Sequence, residues 1–354
     1  MSDDLTTTAG TKNWKPPSPG TPAAISIVIV NWNSKAYVRG CLQSLARHAP
    51  SIALEVIVVD GGSFDGCDQM LASEFPSVIF VQSPDNIGFA RCNNLGARHA
   101  KGHYLLLLNP DTELIDDSLE TLWREAAALP DAGAIGCRLL NRDHSLQTSC
   151  VQCFPTAINQ ALDSEFLHKR FPRSSLWGMA PLYTEGHAPV PAEAISGACI
   201  LVKRAYYEAV GGFTESYFMY GEDLDLCYKL TQAGHRSYYV PNARVVHFGG
   251  GSTGQASSNF STVMMRTSVH HFIGKHRGTL SALAYRLSIL VSALARLVLI
   301  FPMLIFGHRV VRHGSGSLRK WSAIFRWSIG LPPRGKKTGT STALPSSPAQ
   351  AKSK

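Results

Sequence analysis

LLLLNPDTEL fills residues 105–114. Four leucines in a row read as a strand buried on both faces, because a strand with one wet face alternates apolar and polar residues. The run ends at Asn109, Pro110 and Asp111, which puts a carboxylate where the buried stretch stops. All three residue types favour turns, so an Asx-turn explains the ending. A divalent cation explains it as well: Mg²⁺ or Mn²⁺ takes carboxylate oxygens and leaves positions open for substrate phosphates.

The same pattern recurs on both sides. AISIVIVNWN (24–33), LEVIVVDGGSFDG (54–66) and VIFVQSP (78–84) are apolar runs ending in polar residues or glycine. Between them YVRGCLQSLARHA, CDQMLASEF and IGFARCNNLGARHAKG read as helices, the last closing at Gly102. Uniformly apolar strands alternating with helices predict an α/β fold, a mostly parallel central sheet flanked by helices. Ligands of open sheets bind at the carboxyl ends of the strands. Here those ends carry Asn31 and Asn33, then Asp60, then Asp111. Further on, SLETLWREAAAL predicts a helix, AGAIGCRLL a strand and ISGACILVKRAYYEAVGGF a strand followed by a helix. YFMYGEDLDLCYKLTQAG predicts a helix opened by acids, and RSYYVPNARVVHFGGGST two short strands before a glycine-rich loop. Residues 141–190 read as loop.

Of the 354 residues, 45% are hydrophobic and 17% charged, which sustains a sizeable core and excludes global disorder. The net charge of +9 points to nucleic acid, nucleotide phosphates or an anionic membrane. Lys and Arg gather past residue 300 rather than around the acidic strand ends, which argues against nucleic acid. Eight scattered cysteines suit a reducing compartment, and Cys150–Cys153 has no partner pair at zinc spacing. Residues 1–22 lack the apolar stretch of a signal peptide and read as a disordered leader. Residues 23–275 read as the α/β domain, 276–331 as an apolar and basic helical segment, and 332–354 as a disordered basic tail. LSALAYRLSILVSALARLVLIFPMLIFG (280–307) is apolar, yet Arg286 and Arg296 interrupt it, and Ser281, Tyr285, Ser288, Ser292 and Arg296 form one polar stripe. A central Arg costs roughly 2.5–3.5 kcal/mol in a spanning helix, which favours an interfacial or re-entrant helix over a simple span. SLRKWSAIFRWSIG (317–330) has the composition of a membrane-surface helix; an ordinary helix packed on the domain is the alternative.

Three motifs add chemistry. In VVHFGGGST (245–253), His247 precedes three glycines, which let a backbone approach phosphate closely. Beside such a loop His247 is a candidate second metal ligand. No P-loop lysine and no strand–GxGxxG–helix occurs, so ATPase and dinucleotide signatures are excluded. In GEDLDLC (221–227), Glu222, Asp223 and Asp225 crowd a helix start. The helix dipole favours acids there by roughly 0.3–1 kcal/mol each. Capping needs one or two acids rather than three, and a carboxylate beside a sugar site makes a general base. In VVDGGSFDG (58–66), Asp60 can accept from the imide N–H of uracil or thymine, with Gly61 and Gly62 keeping the wall low. Arg91 reads as a contact to base or diphosphate, or as a surface salt bridge.

Taken in order, SIVIVNWNS, VIVVDGGSFDG, NIGFARCNN, LLLLNPD, SGACILVKR, GGFTESYFMYGEDLDLC and VVHFGGGST resemble the family 2 glycosyltransferases of the GT-A fold, over about residues 25–255. The NPD form and the FMYGEDLD segment look most like bacterial rhamnosyltransferase-type members. The resemblance implies Asp111 as the metal ligand of the D-x-D motif and His247 as its completion. Asn109 stands at the place of that motif's first acid and joins Asn31, Asn33, Asp60, Gly62 and Arg91 around the donor nucleotide. Asp223 is implied as the catalytic base, with Glu222 beside it. DGGS replaces the commoner DNGS or DDGS. The implied activity is an inverting transfer of a sugar, rhamnose first, from a dTDP- or UDP-sugar with Mn²⁺ or Mg²⁺. The acceptor is a glycan or lipid-linked hydroxyl in cell-surface polysaccharide synthesis, at the cytoplasmic, inner face of the membrane. Two alternatives share parts of this pattern. A sugar nucleotidyltransferase needs a glycine-rich loop that IVNWNSKAY lacks, and a non-catalytic nucleotide-sugar-binding protein has no need of Asp223 as well as Asp111.

Overall fold

The computed structural model describes residues 14–18, 20–48, 51–249, 259–306 and 311–331. The first half is the expected alternation: β1 (Ile25–Asn31), α1 (Lys35–Arg47), β2 (Leu54–Asp60), α2 (Cys67–Glu74), β3 (Ile79–Gln82), α3 (Phe89–His99) and β4 (Tyr104–Leu108). A short β5 (Thr112–Ile115), α4 (Ser118–Ala128) and β6 (Ala132–Leu140) follow. The expected loop over 141–190 contains β7 (Val151–Gln152), α5 (Ala157–Ala161), α6 (Glu165–Arg170) and the start of β8 (Val190–Ala192). Then come β9 (Ala194–Ile195), β10 (Cys199–Lys203), α7 (Arg204–Ala209), α8 (Glu222–Gln232) and β11 (Arg236–His247). Three helices end the described chain: α9 (Asn259–Arg277), α10 (Thr279–Phe306) and α11 (Val311–Ser328).

The main sheet has the order β3-β2-β1-β4-β10-β6-β11-β5, with β8 added on β11. Strands β3, β2, β1 and β4 are parallel, so their carboxyl ends share one edge. Every residue of β1 and β2 is buried, as are Leu105–Leu108, which is why these strands read as unbroken apolar runs. Strand β10 runs antiparallel between β4 and β6, with Cys199 opposite Leu108. The loop that enters β10 is thereby delivered to the edge where β4 ends, and this reversal builds the site. The two short strands expected over 236–247 are one strand, irregular between Val240 and Arg244, where Pro241 has no N–H for the ladder. The expected leader is ordered before its end. Trp14 is buried and stacks on Phe75, and the Lys15 carbonyl accepts from the Leu54 N–H. Residues 1–13, the tail over 332–354 and the glycine run beyond Gly249 lie outside the described residues.

Helix α10 is turned inside out relative to a helix of a water-soluble surface. Its polar stripe faces the protein: Ser288 Oγ donates to the Ala157 carbonyl and Ser292 Oγ to that of Ala161. Arg296 donates to the Asp163 carbonyl and lies over the Trp321 ring. Tyr285, Ile289 and Ala293 are buried beside that stripe. The opposite face, Leu280, Leu283, Leu287, Val291, Leu294 and Val298, is exposed, Leu280 at 82% and Val298 at 69%. Thr279–Ile300 is long and apolar enough to cross a membrane by length and composition.

Candidate functional site

Asp111 lies between β4 and β5, at the edge where the parallel strands end. His247 closes β11 and pairs with Thr112 in antiparallel register, which brings the imidazole to Asp111. His247 Nε2 is 3.4 Å from Asp111 Oδ1 and 3.4 Å from Asn109 Nδ2. Gln147, which the sequence reading left in a loop, sets the tautomer. Its Nε2 donates to the His247 carbonyl at 2.6 Å, so its Oε1 accepts from His247 Nδ1–H at 3.0 Å. Nε2 then carries the lone pair beside the Asp111 carboxylate. Asn109 Oδ1 is buried and has no hydrogen-bond partner among the described residues. An imidazole lone pair, a carboxylate and an orphaned amide oxygen suit a divalent cation, and the bond from Nδ1 is the support a ligating histidine needs. No group of three or more His, Cys, Asp or Glu occurs among the described residues. Turn chemistry operates at the same place: Thr112 Oγ1 donates to the Asn109 carbonyl at 2.7 Å.

Helix α8 brings the acids of GEDLDLC to the same edge. The half-buried Asp223 accepts from the Gly197 N–H at 2.9 Å and from the Leu224 N–H at 2.8 Å. The next carbonyl, Ala198, accepts from the Asn109 N–H at 2.9 Å. One dipeptide, Gly197–Ala198, therefore holds the acid on one side and the loop that carries Asn109 and Asp111 on the other. A Cβ on Gly197 would come within 3.3 Å of the Asp223 Cβ, tighter than ordinary packing. The pair of neighbouring carboxyls is unequal. Burial first, and the Asp223 charge second, push Glu222 up to about 8, and its Oε2 has no partner among the described residues. Burial raises Asp223 too, but the N–H groups of Gly197 and Leu224 favour its anion. Of the two, Asp223 is the carboxyl whose anion is supported by backbone donors, and Glu222 is the one that burial and its neighbour hold toward the protonated form. Asp225 has a third function. It is fully buried and accepts from Thr214 Oγ1 at 2.6 Å, Lys275 Nζ at 2.8 Å and His276 Nε2 at 2.7 Å. Burial raises its carboxyl, and the bonds from Lys275, Thr214 and His276 outweigh burial and hold it below the ordinary range.

The nucleotide end departs from the sequence expectation. Asn31 is fully buried and does not present its side chain to a ligand. Its amide donates to Asp60 at 2.6 Å, Ser63 at 3.1 Å and Asp65 at 3.0 Å, and its oxygen accepts from Ser34. Asp60 is also buried. Its carboxylate accepts from Asn31, Ser63 Oγ, the N–H groups of Ser63 and Phe64, and Gln82 Nε2. Burial raises this carboxyl, and those bonds outweigh it and set it below the usual range. Gly62 is required for close approach: at φ 74° its Cβ would come within 2.5 Å of the Asp85 backbone. Asn33 is exposed in the left-handed region at φ 51°, on the turn after β1. Arg91 follows the bland alternative, an exposed ion pair with Glu215 at 3.5 Å. The residue of NIGFARCNN with the larger task is Asn94. It accepts from Tyr207 Oη and the Phe213 N–H and donates to the Phe213 carbonyl, which fixes the segment leading into α8.

A sheet with acid-bearing strand ends, reversed at β10 in its middle and faced by a pair of neighbouring carboxyls, is the architecture of the GT-A nucleotide-diphospho-sugar transferases. The mannosyltransferase PcManGT from Pyrobaculum calidifontis, solved in complex with GDP-Man and Mn²⁺, superposes with a TM-score of 0.54 at 18% identity, covering 90% of this chain and 88% of that one. The glycosyl transferase family 2 model matches residues 26–181. The N-acetylglucosaminyl-diphospho-decaprenol L-rhamnosyltransferase of Mycobacterium tuberculosis is 30% identical over 268 residues, 72% of this chain and 85% of that protein. Rhamnosyltransferase WbbL of Escherichia coli is 26% identical, over 63% of this chain and 83% of its own length. The chain belongs to the family 2 glycosyltransferases, and of the three activities weighed from the sequence it is glycosyl transfer that stands.

Proposed function

We propose that this chain is an inverting rhamnosyltransferase that uses a dTDP- or UDP-sugar and a lipid-linked glycan acceptor at the inner membrane surface. One observation carries the chemistry: the Gly197–Ala198 bridge between Asp223 and Asn109, which supports a single cleft with a base on one wall and a cation set on the other. Asp223, the anionic member of its pair, takes the proton from the acceptor hydroxyl as that oxygen attacks the anomeric carbon. Glu222, holding its proton, keeps a second negative charge out of the cleft. Asp111, His247 and the Asn109 amide oxygen would hold the cation. Bound there, it neutralises the charge growing on the departing diphosphate. Asp60 and Asn31 act behind the donor, as the hydrogen-bonded floor that shapes the turn after β2. The rhamnose donor and the lipid-linked acceptor are taken from the two rhamnosyltransferase relatives, one of which names a diphospho-decaprenol acceptor.

Membrane association is supported by the exposed apolar ridge of α10. Exposed Ile158 and Leu162 of the α5 region, and Phe166 and Phe171 of the α6 region, add to the apolar surface of the segment against which α10 packs. The decisive variant is Asp223→Asn. Donor binding by calorimetry is expected to stay near wild type while transfer falls at least ~100-fold, the lower range for a lost general base. Wild-type turnover in that variant would remove Asp223 from the mechanism.

A further inference from the structure

A cleft of about 530 Å³ opens between α9 and α10, and neither Glu222 nor Asp223 lines it. His270, His271, Lys275 and Arg286 supply its nitrogen atoms, and Ala282 and Leu283 its apolar wall; no Asp or Glu lines it. Lys275 is paired with Asp225, and His271 Nε2 is 2.7 Å from Ser216 Oγ. Arg286 is different. It donates to the Ser328 and Trp327 carbonyls at 2.9 and 3.1 Å and forms no ion pair among the described residues. Among the described residues no carboxylate balances its charge, and the Trp327 ring lies 5.6 Å from its guanidinium carbon. Burial, then Arg286, then His271 hold the His270 imidazole below its ordinary range. Leu283, at the cleft wall, belongs to the exposed ridge of α10. A cationic cavity thus opens beside an apolar rail, the arrangement that matches an anionic headgroup above an acyl chain.

We infer that this cleft binds the phosphate of an anionic membrane phospholipid, with Arg286 as its principal cation and the acyl chain along α10. The inference rests on the membrane reading of α10 and adds the lipid class to it. Flotation of the full chain with phosphatidylcholine vesicles, with and without phosphatidylglycerol, tests both. Binding to both vesicles, tighter to the anionic ones, is expected. Arg286→Gln should weaken the anionic arm about five-fold, the factor that ~1 kcal/mol per surface cation implies. Its neutral arm should not change, and Arg286→Lys should keep the preference. Binding to neither vesicle overturns the membrane reading and the lipid site with it. Equal binding to both leaves the membrane reading standing and overturns the lipid site. Full preference retained in Arg286→Gln also overturns it, because other basic residues would then be the source. Release from anionic vesicles by millimolar inorganic phosphate would assign the cleft to free anions and overturn the lipid assignment.

Discussion

At the scale of single residues, polar side chains at strand ends divide into those left with an open hydrogen-bonding atom and those that hold the turn. Asn31 and Asp60 look alike in sequence to Asn109 and Asp111, each pair closing an apolar run. Their environments differ: the first pair is saturated by hydrogen bonds with each other, with Ser34, with the turn after β2 and with Gln82, whereas the Asn109 oxygen is orphaned among the described residues. Composition and spacing do not encode that difference, and Gln147 was hidden in a segment with no periodic signal. Gln147→Leu should lower Mn²⁺ affinity ~10–100-fold, the usual cost of losing an outer-shell partner. Titration of nucleoside diphosphate binding against Mn²⁺ checks this, and unchanged affinity would take His247 out of the metal set. Glu222 gives a pH signature. Its folded value, about 8, exceeds its ordinary 4.5, so the folded protein retains a proton that the unfolded chain releases. That contribution is complete below 4.5 and is lost as pH rises toward about 8. Glu222→Gln stays neutral throughout, so its stability relative to wild type should rise across this window. Urea unfolding at the two ends of the window measures the change.

At the scale of elements, β1, β2 and β4 were legible because both faces are buried and no residue had to declare a direction. The reversed β10 was legible as a strand, but its antiparallel setting was not, since orientation is fixed by partners rather than by its own five residues. The elements of 141–190 were missed because they run only two to six residues and depend on local caps. Thr156 and Asn159 form a capping box on α5, and Ser164 caps α6. The acids of α8 were visible as a cluster, while the assignment of Asp225 to Lys275 and His276 required α9 to be in place. Asp225→Ala strips the partner from Lys275 and from the His276 N–H and should cost ~3–5 kcal/mol, as for other broken buried pairs. Chemical denaturation reads it directly. A loss under ~1 kcal/mol, the scale of an exposed pair, would mean that the tie between α8 and α9 is solvent-screened.

Across the whole molecule, the sequence carried the polar stripe of α10, but not the direction in which the stripe points. A stripe of Ser, Tyr and Arg reads equally as a face turned to water or to protein. Here it supplies donors to the carbonyls of Ala157, Ala161 and Asp163 and buries Tyr285, Ile289 and Ala293. A chain ended at Gly278 should therefore melt well below the full protein, because each large side chain it uncovers or removes is worth ~1.5–3 kcal/mol. Scanning calorimetry of the two lengths, in the same detergent, makes the comparison; equal midpoints would show the helices to be independent of the domain. The practical corollary concerns protein production. Trimming the greasy carboxyl-terminal part to obtain a fragment that needs no amphiphile also removes a wall of the fold, so crystals or assays of such a fragment would report on a damaged enzyme.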